Sequence, residues 1–344
     1  MSRGRHGFLA IGSRVTELGF EGLHSFAISC TGSRWWQDDS QNFLQEKKPV
    51  KRSVLGVLLV LTFAIAVAAA PTLTFTFSDV KANKTALETD TYAVNNAGTI
   101  VGDYVDSASV QHGMILAGKK LTTINDKTCE AISGTGGISF FGVNSAGTAV
   151  GWCTNSKTGL DQGLEYSKGK ITVINYPKSN GTQLSGINDK GEIVGLYLDS
   201  TNATHGFSLI GKKYTSISVK GDTNTVAWGV NNAGQITVYA TNSAGDYDSF
   251  LLTGTKFKNI DNPKAKGGIG TIVHTPAPSN GDIDGTYYNS AGTEMGWLLH
   301  KGKYYDVVDT GGTSRADGLN DKSELVGRYG SGTFGGTGFK ATYK

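Results

Sequence analysis

A two-part phrase recurs six times in the second part of this chain and constrains its fold more than any other feature. The clearest copy of the first part is Gly-Ile-Asn-Asp-Lys-Gly-Glu-Ile-Val-Gly-Leu-Tyr, at residues 186–197. Its Asn recurs at positions 95, 144, 231 and 320, and a degenerate copy places the equivalent residue at position 278. Repeats of about 40–50 residues built from short strands are typical of β-propeller blades.

The second part of the phrase predicts further strands. It begins at residues 112, 162, 205, 248, 295 and 337, and its third residue is always large and apolar, as Phe207 is. In most copies the residue two positions later is also large and apolar, and this period of two indicates a strand with one buried face. A glycine turn and another short strand follow in five copies. Each unit therefore predicts four strands, the first of them a short one at Gly-Val/Ile-Asn.

Glycine and asparagine mark the turns and one unusual strand position. The Asn-x-x-Gly between the first two strands suits a four-residue hairpin, because Asn can bond its own backbone and Gly accepts a positive φ. A second glycine recurs inside the following strand, where it weakens an ordinary strand. Its recurrence predicts that a neighbouring sheet packs very close at that point. These strand glycines are Gly102, Gly151, Gly195, Gly285 and Gly327.

The two ends of the repeat region complement each other. The sixth copy stops after its third strand, whereas residues 72–80 form a lone strand with no first phrase before it. We therefore predict an all-β fold, a β-propeller of six four-stranded blades in which the N-terminal strand, at about residues 72–80, completes the last blade. Such closure leaves only short sheet edges exposed. An open β-solenoid, the alternative, would need no exchange between the ends.

The segment before the repeats has the layout of a secretory leader. Basic residues at positions 47–52 precede an apolar run from Val54 to Val67 and a cluster of small residues. We expect a signal peptide at residues 47–70, cut after Ala68, and a mature protein that is secreted, periplasmic or on the cell surface. The apolar run is shorter than the ~20 residues that a membrane span needs, although a retained anchor is the alternative.

The remaining domain boundaries follow from this leader. Residues 71–344 form the predicted repeat domain, which we expect to have no membrane contact after cleavage of the leader. Residues 1–46 show no repeat and no clear periodicity. We expect this segment to be unstructured or to come from a start codon placed too far upstream.

The charge distribution gives no sign of a nucleic-acid partner. The formal net charge is +3, but residues 1–68 hold eight of the 32 basic and five of the 29 acidic residues. The rest of the chain therefore carries 24 residues of each sign. A neutral domain has no general electrostatic attraction for nucleic acid or for anionic membranes. We predict no nucleic-acid partner and a monomer.

The repeated phrases resemble the HAF repeat of secreted bacterial proteins. That family pairs a Gly-Ile-Asn-x-x-Gly-x-Ile-Val-Gly-like phrase with a His-Ala-Phe-like phrase, which appears here as residues 112–114 and 205–207 with Gly in place of Ala. The other four copies lack the His. The resemblance covers roughly residues 72–344 and implies an exported, β-propeller-like protein. It implies no activity, because no catalytic residues common to the family are known to us.

Motif chemistry in the repeat domain is sparse. Without the leader only Cys129 and Cys153 remain, and an even pair in an exported chain suggests a disulfide, although the sequence does not fix their separation. Two cysteines without a nearby His cluster make a poor zinc site. We predict no metal and no cofactor. The repeat domain contains no nucleophile elbow, His-Glu-x-x-His pair or phosphate loop, so we assign no catalytic residues.

Histidines and one acidic pair have two possible roles. His112 and His205 occupy equivalent places in two units, which favours a structural role at the start of a strand. Asp282 and Asp284 are one residue apart and could ligate calcium or act together on a glycoside, whereas acids on a solvated strand face are commoner.

One set of variable residues suggests a ligand site. The residue just before the first phrase, or its neighbour, varies more than the phrase itself. In a propeller these positions meet at one mouth of the central channel, where aromatic rings and a few polar groups make a typical ligand site. The alternative, which the sequence favours, is that these rings pack between blades. The candidate ligand-binding residues are Tyr92, Phe141, Trp228, His274 and Asp317.

These observations lead to three functional hypotheses. The leading one is an exported, non-enzymatic binding or scaffold propeller with a carbohydrate or protein ligand at one face, because the repeated turns show no unique polar cluster. The alternative is a propeller enzyme acting on polysaccharide, a glycosidase or a lyase, which would bring Asp284, His274, Arg315 and Asp317 together. The third is a purely structural module of the cell surface.

Overall fold

A computed structural model describes residues 72–129, 137–277, 279–309, 313–330 and 336–344, and these residues form an all-β structure. They contain 24 strands and two single-turn 3₁₀ helices, at Lys127–Cys129 and Pro263–Ala265. The all-β class predicted from the repeat is therefore confirmed. The predicted leader and residues 1–46 lie outside the described residues. Within the described ranges, no helix is long and apolar enough to cross a membrane.

Antiparallel pairing arranges the strands in six groups of four, which we call units 1 to 6. The strands of units 1 to 3 follow one another along the chain. Unit 1 contains β2 (Glu88–Val94), β3 (Thr99–Val105), β4 (Gln111–Ala117) and β5 (Lys120–Ile124). Unit 2 contains β6 (Ser139–Val143), β7 (Ala149–Thr154), β8 (Asp161–Ser167) and β9 (Lys170–Ile174). Unit 3 contains β10 (Gly181–Ile187), β11 (Ile193–Leu198), β12 (Thr204–Ile210) and β13 (Lys213–Ile217).

Units 4 and 5 repeat this order, and unit 6 takes its fourth strand from the other end of the repeat region. Unit 4 contains β14 (Asn224–Val230), β15 (Gln235–Thr241), β16 (Tyr247–Thr253) and β17 (Lys256–Asn259). Unit 5 contains β18 (Gly270–Pro276), β19 (Ile283–Tyr288), β20 (Glu294–His300) and β21 (Lys303–Val307). Unit 6 contains β22 (Ser314–Leu319), β23 (Glu324–Tyr329), β24 (Thr337–Tyr343) and β1 (Phe75–Val80).

The N-terminal strand pairs with the last strand of the chain. β1 runs antiparallel to β24, from the pair Phe75 and Tyr343 to the pair Val80 and Gly338. This is the pairing that the two ends of the repeat predict. It supplies the fourth strand that the sixth copy of the phrase lacks.

The first strands of the units lie next to one another in order, and β22 lies against β2. We call these six strands (β2, β6, β10, β14, β18 and β22) the inner strands. In units 1, 2, 3 and 6 the Asn of the first phrase joins neighbouring units, because its Nδ2 donates to the carbonyl oxygen of the equivalent Asn in the next unit. The Nδ2–O distance is 2.9 Å from Asn95 to Asn144, from Asn188 to Asn231 and from Asn320 to Asn95.

The same Asn also holds its own turn, as the sequence predicts. The Oδ1 of Asn188 accepts hydrogen bonds from the backbone N–H groups of Lys190 and Glu192, each at 3.0 Å. Gly191 then takes a φ of 78°, which a residue with a Cβ rarely adopts. One side chain thus closes a hairpin and links two units. The sequence reveals only the first of these roles.

The inner strands are longer than the sequence predicts and each contains a bulge. Four of them span seven residues, so the prediction of a short strand at Gly-Val/Ile-Asn was wrong. Their upstream halves carry no clean alternation that would reveal a strand. The strand register shifts once in every inner strand, for example between Thr91 and Ala93 in β2 and between Leu184 and Gly186 in β10. A bulge leaves one extra residue unpaired and re-aims its side chain.

This bulge accounts for the glycine inside the second strand. A Cβ added to Gly195 would lie 2.1 Å from the carbonyl oxygen of Gln183, and one added to Gly102 would lie 1.9 Å from that of Asp90. Both oxygens belong to the inner strand of the same unit. The predicted close approach is therefore present, but its partner is the neighbouring strand and not another sheet.

The apolar core lies mainly between successive units. The large third residue of the second phrase is fully buried in five units, as Met114, Leu164, Phe207, Trp297 and Phe339. Between units 3 and 4, for example, Val194 packs with Ala227 and Val238. Burying both faces of each sheet in this way fixes the strand register, since a slip of one residue would reverse every side chain.

A disulfide and two His–Asp contacts stabilise the outer hairpins. Cys129, after unit 1, and Cys153, in unit 2, form a disulfide with an S–S distance of 2.04 Å. The Nε2 of His112 lies 3.0 Å from Asp106 Oδ2, and the equivalent His205 contacts its own hairpin Asp at the same distance. These contacts support the structural role that the sequence favours for both histidines.

Candidate functional site

The six bulges bring the variable residues together. The bulged residue of each inner strand is the one that precedes the first phrase, or its neighbour, and five of these are the candidate ligand-binding residues. In unit 3 the bulged residue is the small Ser185, so the rings of units 2 and 4 meet beside it. The bulge ring consists of Tyr92, Phe141, Ser185, Trp228, His274 and Asp317.

Aromatic side chains form a continuous surface on one side of this ring. The ring centroids of Tyr92 and Phe141 are 4.4 Å apart, and those of Phe141 and Trp228 are 5.7 Å apart. Two further rings come from second strands: Trp152 stacks on Phe141 with planes 4° apart, and Tyr239 contacts Trp228. We call these five residues the aromatic platform. All five are partly buried and keep some solvent exposure.

Charged side chains form the other side of the site. Arg315 Nη2 lies 3.1 Å from Asp317 Oδ1, and its Nε lies 3.8 Å from Glu294 Oε1. Arg328 Nη1 lies 3.3 Å from Asp90 Oδ2. Asp90 is paired in register with a further acid of unit 1. We call this group the polar rim, and it consists of Asp90, Asp103, Glu294, Arg315 and Arg328.

His274 lies between the aromatic platform and the polar rim. It is fully buried, its ring contacts Trp228, and its Nδ1 lies 2.6 Å from the carbonyl oxygen of Ala316 and 3.4 Å from Asp317 Oδ1. A carbonyl only accepts, so Nδ1 carries the proton and Nε2 is an acceptor. Burial lowers the pKa of His274 to about 4, so the imidazole is neutral at neutral pH.

These contacts bear on the enzyme alternative. His274, Arg315 and Asp317 come together, and Asp284, the fourth residue of that alternative, accepts a hydrogen bond from the backbone N–H of Thr275, next to His274. The buried imidazole, however, is held by a backbone carbonyl, and the Asp317 carboxylate is held by the guanidinium. This arrangement favours a supporting role for the three residues under the aromatic platform.

Unpaired buried polar atoms concentrate at the site. Most buried polar groups in proteins have hydrogen-bond partners, and an exception calls for an explanation. Among the described residues, seven buried side-chain polar atoms lack a partner. Five of them lie in the inner and second strands of units 5 and 6: His274 Nε2, Asp284 Oδ2, Thr286 Oγ1, Asp317 Oδ2 and Arg328 Nε. These atoms are buried, so they are polar groups at and beneath the site whose hydrogen-bonding capacity is not used within the described residues.

A small cavity adjoins the bulge ring at the turn end of the inner strands. It is lined by the Asn turns and by the bulged residues Phe141, Ser185 and Thr275, and its volume is about 50 Å³. Such a volume holds a few water molecules. It is too small for a sugar ring or a side chain of a partner, so the aromatic platform is the better ligand surface.

The acidic pair of unit 5 separates into two unrelated environments. Asp282 contacts His300 Nδ1 at 2.8 Å and accepts a hydrogen bond from the hydroxyl of Tyr343 at 2.7 Å. Asp284 is fully buried and accepts a hydrogen bond from the backbone N–H of Thr275. No group of three or more His, Cys, Asp or Glu residues in the described ranges could hold a metal ion.

Replacing Asp284 with Asn is expected to stabilise the protein at neutral pH. Burial raises the pKa of Asp284 well above its usual value, so the folded chain holds a proton that the unfolded chain loses above pH ~4. Stability then falls as pH rises from about 4 towards the raised pKa. Asn keeps the acceptor for Thr275 without a charge. Urea unfolding should show a gain of about 1–3 kcal/mol at pH 7 and a smaller one at pH 4. A gain that is independent of pH would contradict this account.

The sequence predicts Tyr92, Phe141 and Trp228 of the aromatic platform but does not predict the whole site. The missed residues are Trp152 and Tyr239 of the platform and the polar-rim residues Asp103 and Arg328. All four follow the glycine position of the second strand by one residue. This position varies between units as the bulged position does, so the same criterion could have found them. Asp90 and Glu294 carry no such signal, because they lie at strand positions outside the phrases.

No family model and no curated protein matches this chain. Among solved structures, a mutant of AofleA from Arthrobotrys oligospora is similar, with 12% identity and a TM-score of 0.48 over 79% of this chain and 88% of that one. TolB from Acinetobacter baumannii has 10% identity and a TM-score of 0.48, covering 77% and 68% of the two chains. The fucose-specific lectin from Aleuria aurantia has 10% identity and a TM-score of 0.48, covering 74% and 95%. Each TM-score is below 0.5, so we derive the function from this chain's own residues.

Proposed function

We propose that this protein is a closed β-propeller of six four-stranded blades that binds a carbohydrate on the aromatic platform. The pairing of β1 with β24 and the bond from Asn320 to Asn95 support closure. The hairpin contacts between Asn96 and Asp321 support it as well, since they join the first and sixth units. In this fold the inner strands surround the axis and each unit is one blade.

One observation carries the proposed binding function. Five partly exposed aromatic rings adjoin a set of buried polar atoms that have no partners. A sugar ring has an apolar C–H face that stacks on aromatic rings and hydroxyl groups that donate and accept hydrogen bonds. An apolar surface with a few convergent polar groups is the usual make-up of a small-molecule site. A carbohydrate therefore fits both halves of this site.

The family and the destination of the protein are part of the proposal. The repeated phrases support membership of the HAF-repeat family, and the segment at residues 47–70 supports export. The leader lies outside the described residues, so its support comes from the sequence alone. N-terminal sequencing of the mature protein checks export, with a chain that begins near residue 69.

Replacing Trp228 with Ala is expected to weaken glycan binding about fivefold or more. Its ring contacts both Phe141 and Tyr239, so the substitution interrupts the platform at its centre. Stacking of a nucleic-acid base on one aromatic ring is worth about 1–3 kcal/mol, and we expect a sugar face to be of the same order; 1.4 kcal/mol corresponds to a factor of ten. Binding of the purified protein to a glycan array, followed by titration of the best glycan, measures the effect.

The matched control is Phe257→Ala. Phe257 belongs to the fourth strand of the same unit and is exposed, with a relative accessibility of 37%. Its removal should leave glycan affinity unchanged. Equal losses in the two variants would argue against the platform. Failure of the folded protein to bind any glycan would overturn the proposal and direct attention to a protein ligand.

A further inference from the structure

Two acids face each other beside the aromatic platform. Asp90 of β2 and Asp103 of β3 are register partners, and both are nearly buried, with relative accessibilities of 7% and 5%. The hydroxyl of Tyr92, a platform residue, donates to Asp90 Oδ2 at 3.3 Å. Directly opposite residues of an antiparallel pair have Cβ atoms about 4.5–5.5 Å apart. The two carboxyl groups are therefore neighbours at the edge of the proposed sugar site.

The two acids have different surroundings. Arg328 Nη1 lies 3.3 Å and 3.5 Å from the two carboxylate oxygens of Asp90, which favours the charged form of this acid. Asp103 forms no salt bridge with any described residue. Burial and the neighbouring Asp90 raise the pKa of Asp103 well above its usual value. Burial also raises the pKa of Asp90, but Arg328 opposes that shift. Asp103 therefore holds its proton more tightly.

Unit 1 alone carries this acid pair among the six equivalent strand pairs. The corresponding partners are Ser139 with Trp152 and Gln183 with Leu196 in units 2 and 3, and Arg315 with Arg328 in unit 6. In units 4 and 5 the second-strand residues are Tyr239 and Thr286. A repeat that only builds the fold would not need a buried acid pair in one unit. The pair is also next to the platform and not on the outer surface.

We propose that this site also hydrolyses glycosidic bonds, with Asp103 as general acid and Asp90 as nucleophile. This inference rests on the proposed carbohydrate binding. A pair of carboxyl groups in different environments is the usual requirement of glycoside hydrolysis. A separation of about 5–5.5 Å is typical of enzymes that retain the anomeric configuration. The directly opposite positions of the two acids favour this short spacing over the roughly 6.5–9.5 Å of inverting enzymes, so we expect retention.

The reaction has two balanced steps. In the first, the Asp103 hydroxyl gives its proton to the glycosidic oxygen while an Asp90 oxygen attacks the anomeric carbon. The bond to the leaving sugar breaks, and an ester forms between Asp90 and the remaining sugar. In the second step the Asp103 carboxylate takes a proton from water, which attacks the anomeric carbon and breaks the ester. Asp90 is then a carboxylate again and Asp103 is protonated.

The test uses each oligosaccharide that the purified full chain binds in the glycan array. We expect the wild-type protein to release new reducing ends, whose first-formed anomer, read by proton NMR, keeps the configuration of the substrate. The Asp103→Asn variant should bind the same oligosaccharide within a few-fold of the wild-type affinity. Its hydrolysis should fall at least about 100-fold, because general acid–base catalysis contributes 10²–10⁴. The control Asp106→Asn removes an acid of the same unit that contacts His112, and it should hydrolyse normally.

A nucleophile variant provides an independent readout. Asp90→Gly should be inactive alone and regain turnover with azide, giving a glycosyl azide of inverted configuration. Circular dichroism confirms that each variant folds. If the wild-type protein binds an oligosaccharide and leaves it intact, hydrolysis is overturned while binding stands. If Asp103→Asn keeps full activity, the assignment of the acid is overturned. If the wild-type protein binds no glycan, both the binding and the hydrolysis proposals are overturned.

Discussion

Replacing Gly195 with Ala is expected to lower the free energy of unfolding by about 3 kcal/mol or more. A Cβ at this position would lie 2.1 Å from the carbonyl oxygen of Gln183 and 3.1 Å from the Cα of Leu184. Both are backbone atoms of the bulged inner strand, so no side-chain rotation relieves the clash. Overpacking of a core usually costs 1–3 kcal/mol, and a backbone clash belongs at the upper end of that range or beyond. Urea denaturation monitored by circular dichroism measures the loss.

Gly211→Ala is the matched control for this prediction. Gly211 lies in the next turn of the same unit, has a φ of 61°, and a Cβ there would have no atom within 4 Å. It therefore reports the cost of a left-handed conformation alone, about 1–2 kcal/mol. If the two variants lose the same stability, the close approach at the bulge is not what requires glycine.

Unit 4 shows how local this requirement is. Val238 occupies the position equivalent to Gly195, pairs with Ala227 and is fully buried. The bulge is present in this unit too. Its first two strands therefore accommodate a side chain at a position where the other five units require glycine. Thr237, next to it, donates from its hydroxyl to the carbonyl oxygen of His274 in unit 5. The prediction therefore applies to Gly195 and its four equivalents and not to unit 4.

The repeat predicts the strand count and the pairing partners because each unit has to bury the same faces. The period of two around Phe207 identifies a third strand, and the lone strand before the first copy of the phrase predicts the pairing of β1 with the sixth unit. The upstream halves of the inner strands escape prediction for a physical reason. They are packed on both faces by neighbouring units and carry mixed residues such as those of Glu88–Val94, so no alternation survives.

The candidate site is predictable only where it depends on sequence position. Tyr92, Phe141 and Trp228 stand out because they precede a nearly constant phrase. Their rings meet because each inner strand contains a bulge. No local pattern in this sequence predicts where the bulges lie. The pairing of Asp90 with Asp103, and the reach of Arg328 across to unit 1, depend on the same register. Polar contacts between units therefore cannot be predicted before the strand register is known.

Replacing Asn188 with Asp is expected to cost on the order of 3 kcal/mol at neutral pH, because the substitution separates the two roles of this side chain. Asn188 is 4% exposed, and its Nδ2 donates to the carbonyl oxygen of Asn231 and to Glu192 Oε2. The Asp side chain keeps the oxygen that accepts the hydrogen bonds of the turn. It places a second oxygen where the Nδ2 donor was, against the carbonyl oxygen of Asn231 and against Glu192 Oε2. Leaving buried groups unpaired costs about 1–3 kcal/mol each, and more when they are charged.

The control that isolates the link between units is Asn289→Asp. Its Oδ1 accepts hydrogen bonds from the N–H groups of Ala291 and Thr293, as Asn188 does in its own turn, but its Nδ2 has no partner among the described residues. We expect this control to lose less than about 1 kcal/mol. The loss in Asn188→Asp should also shrink towards pH 3, where the introduced carboxyl is protonated and can donate. Equal, pH-independent losses would mean that the bond between units contributes nothing. A larger loss in Asn188→Asp would show that the Nδ2 contacts of this Asn, to Asn231 of the next unit and to Glu192, add stability beyond that of the turn.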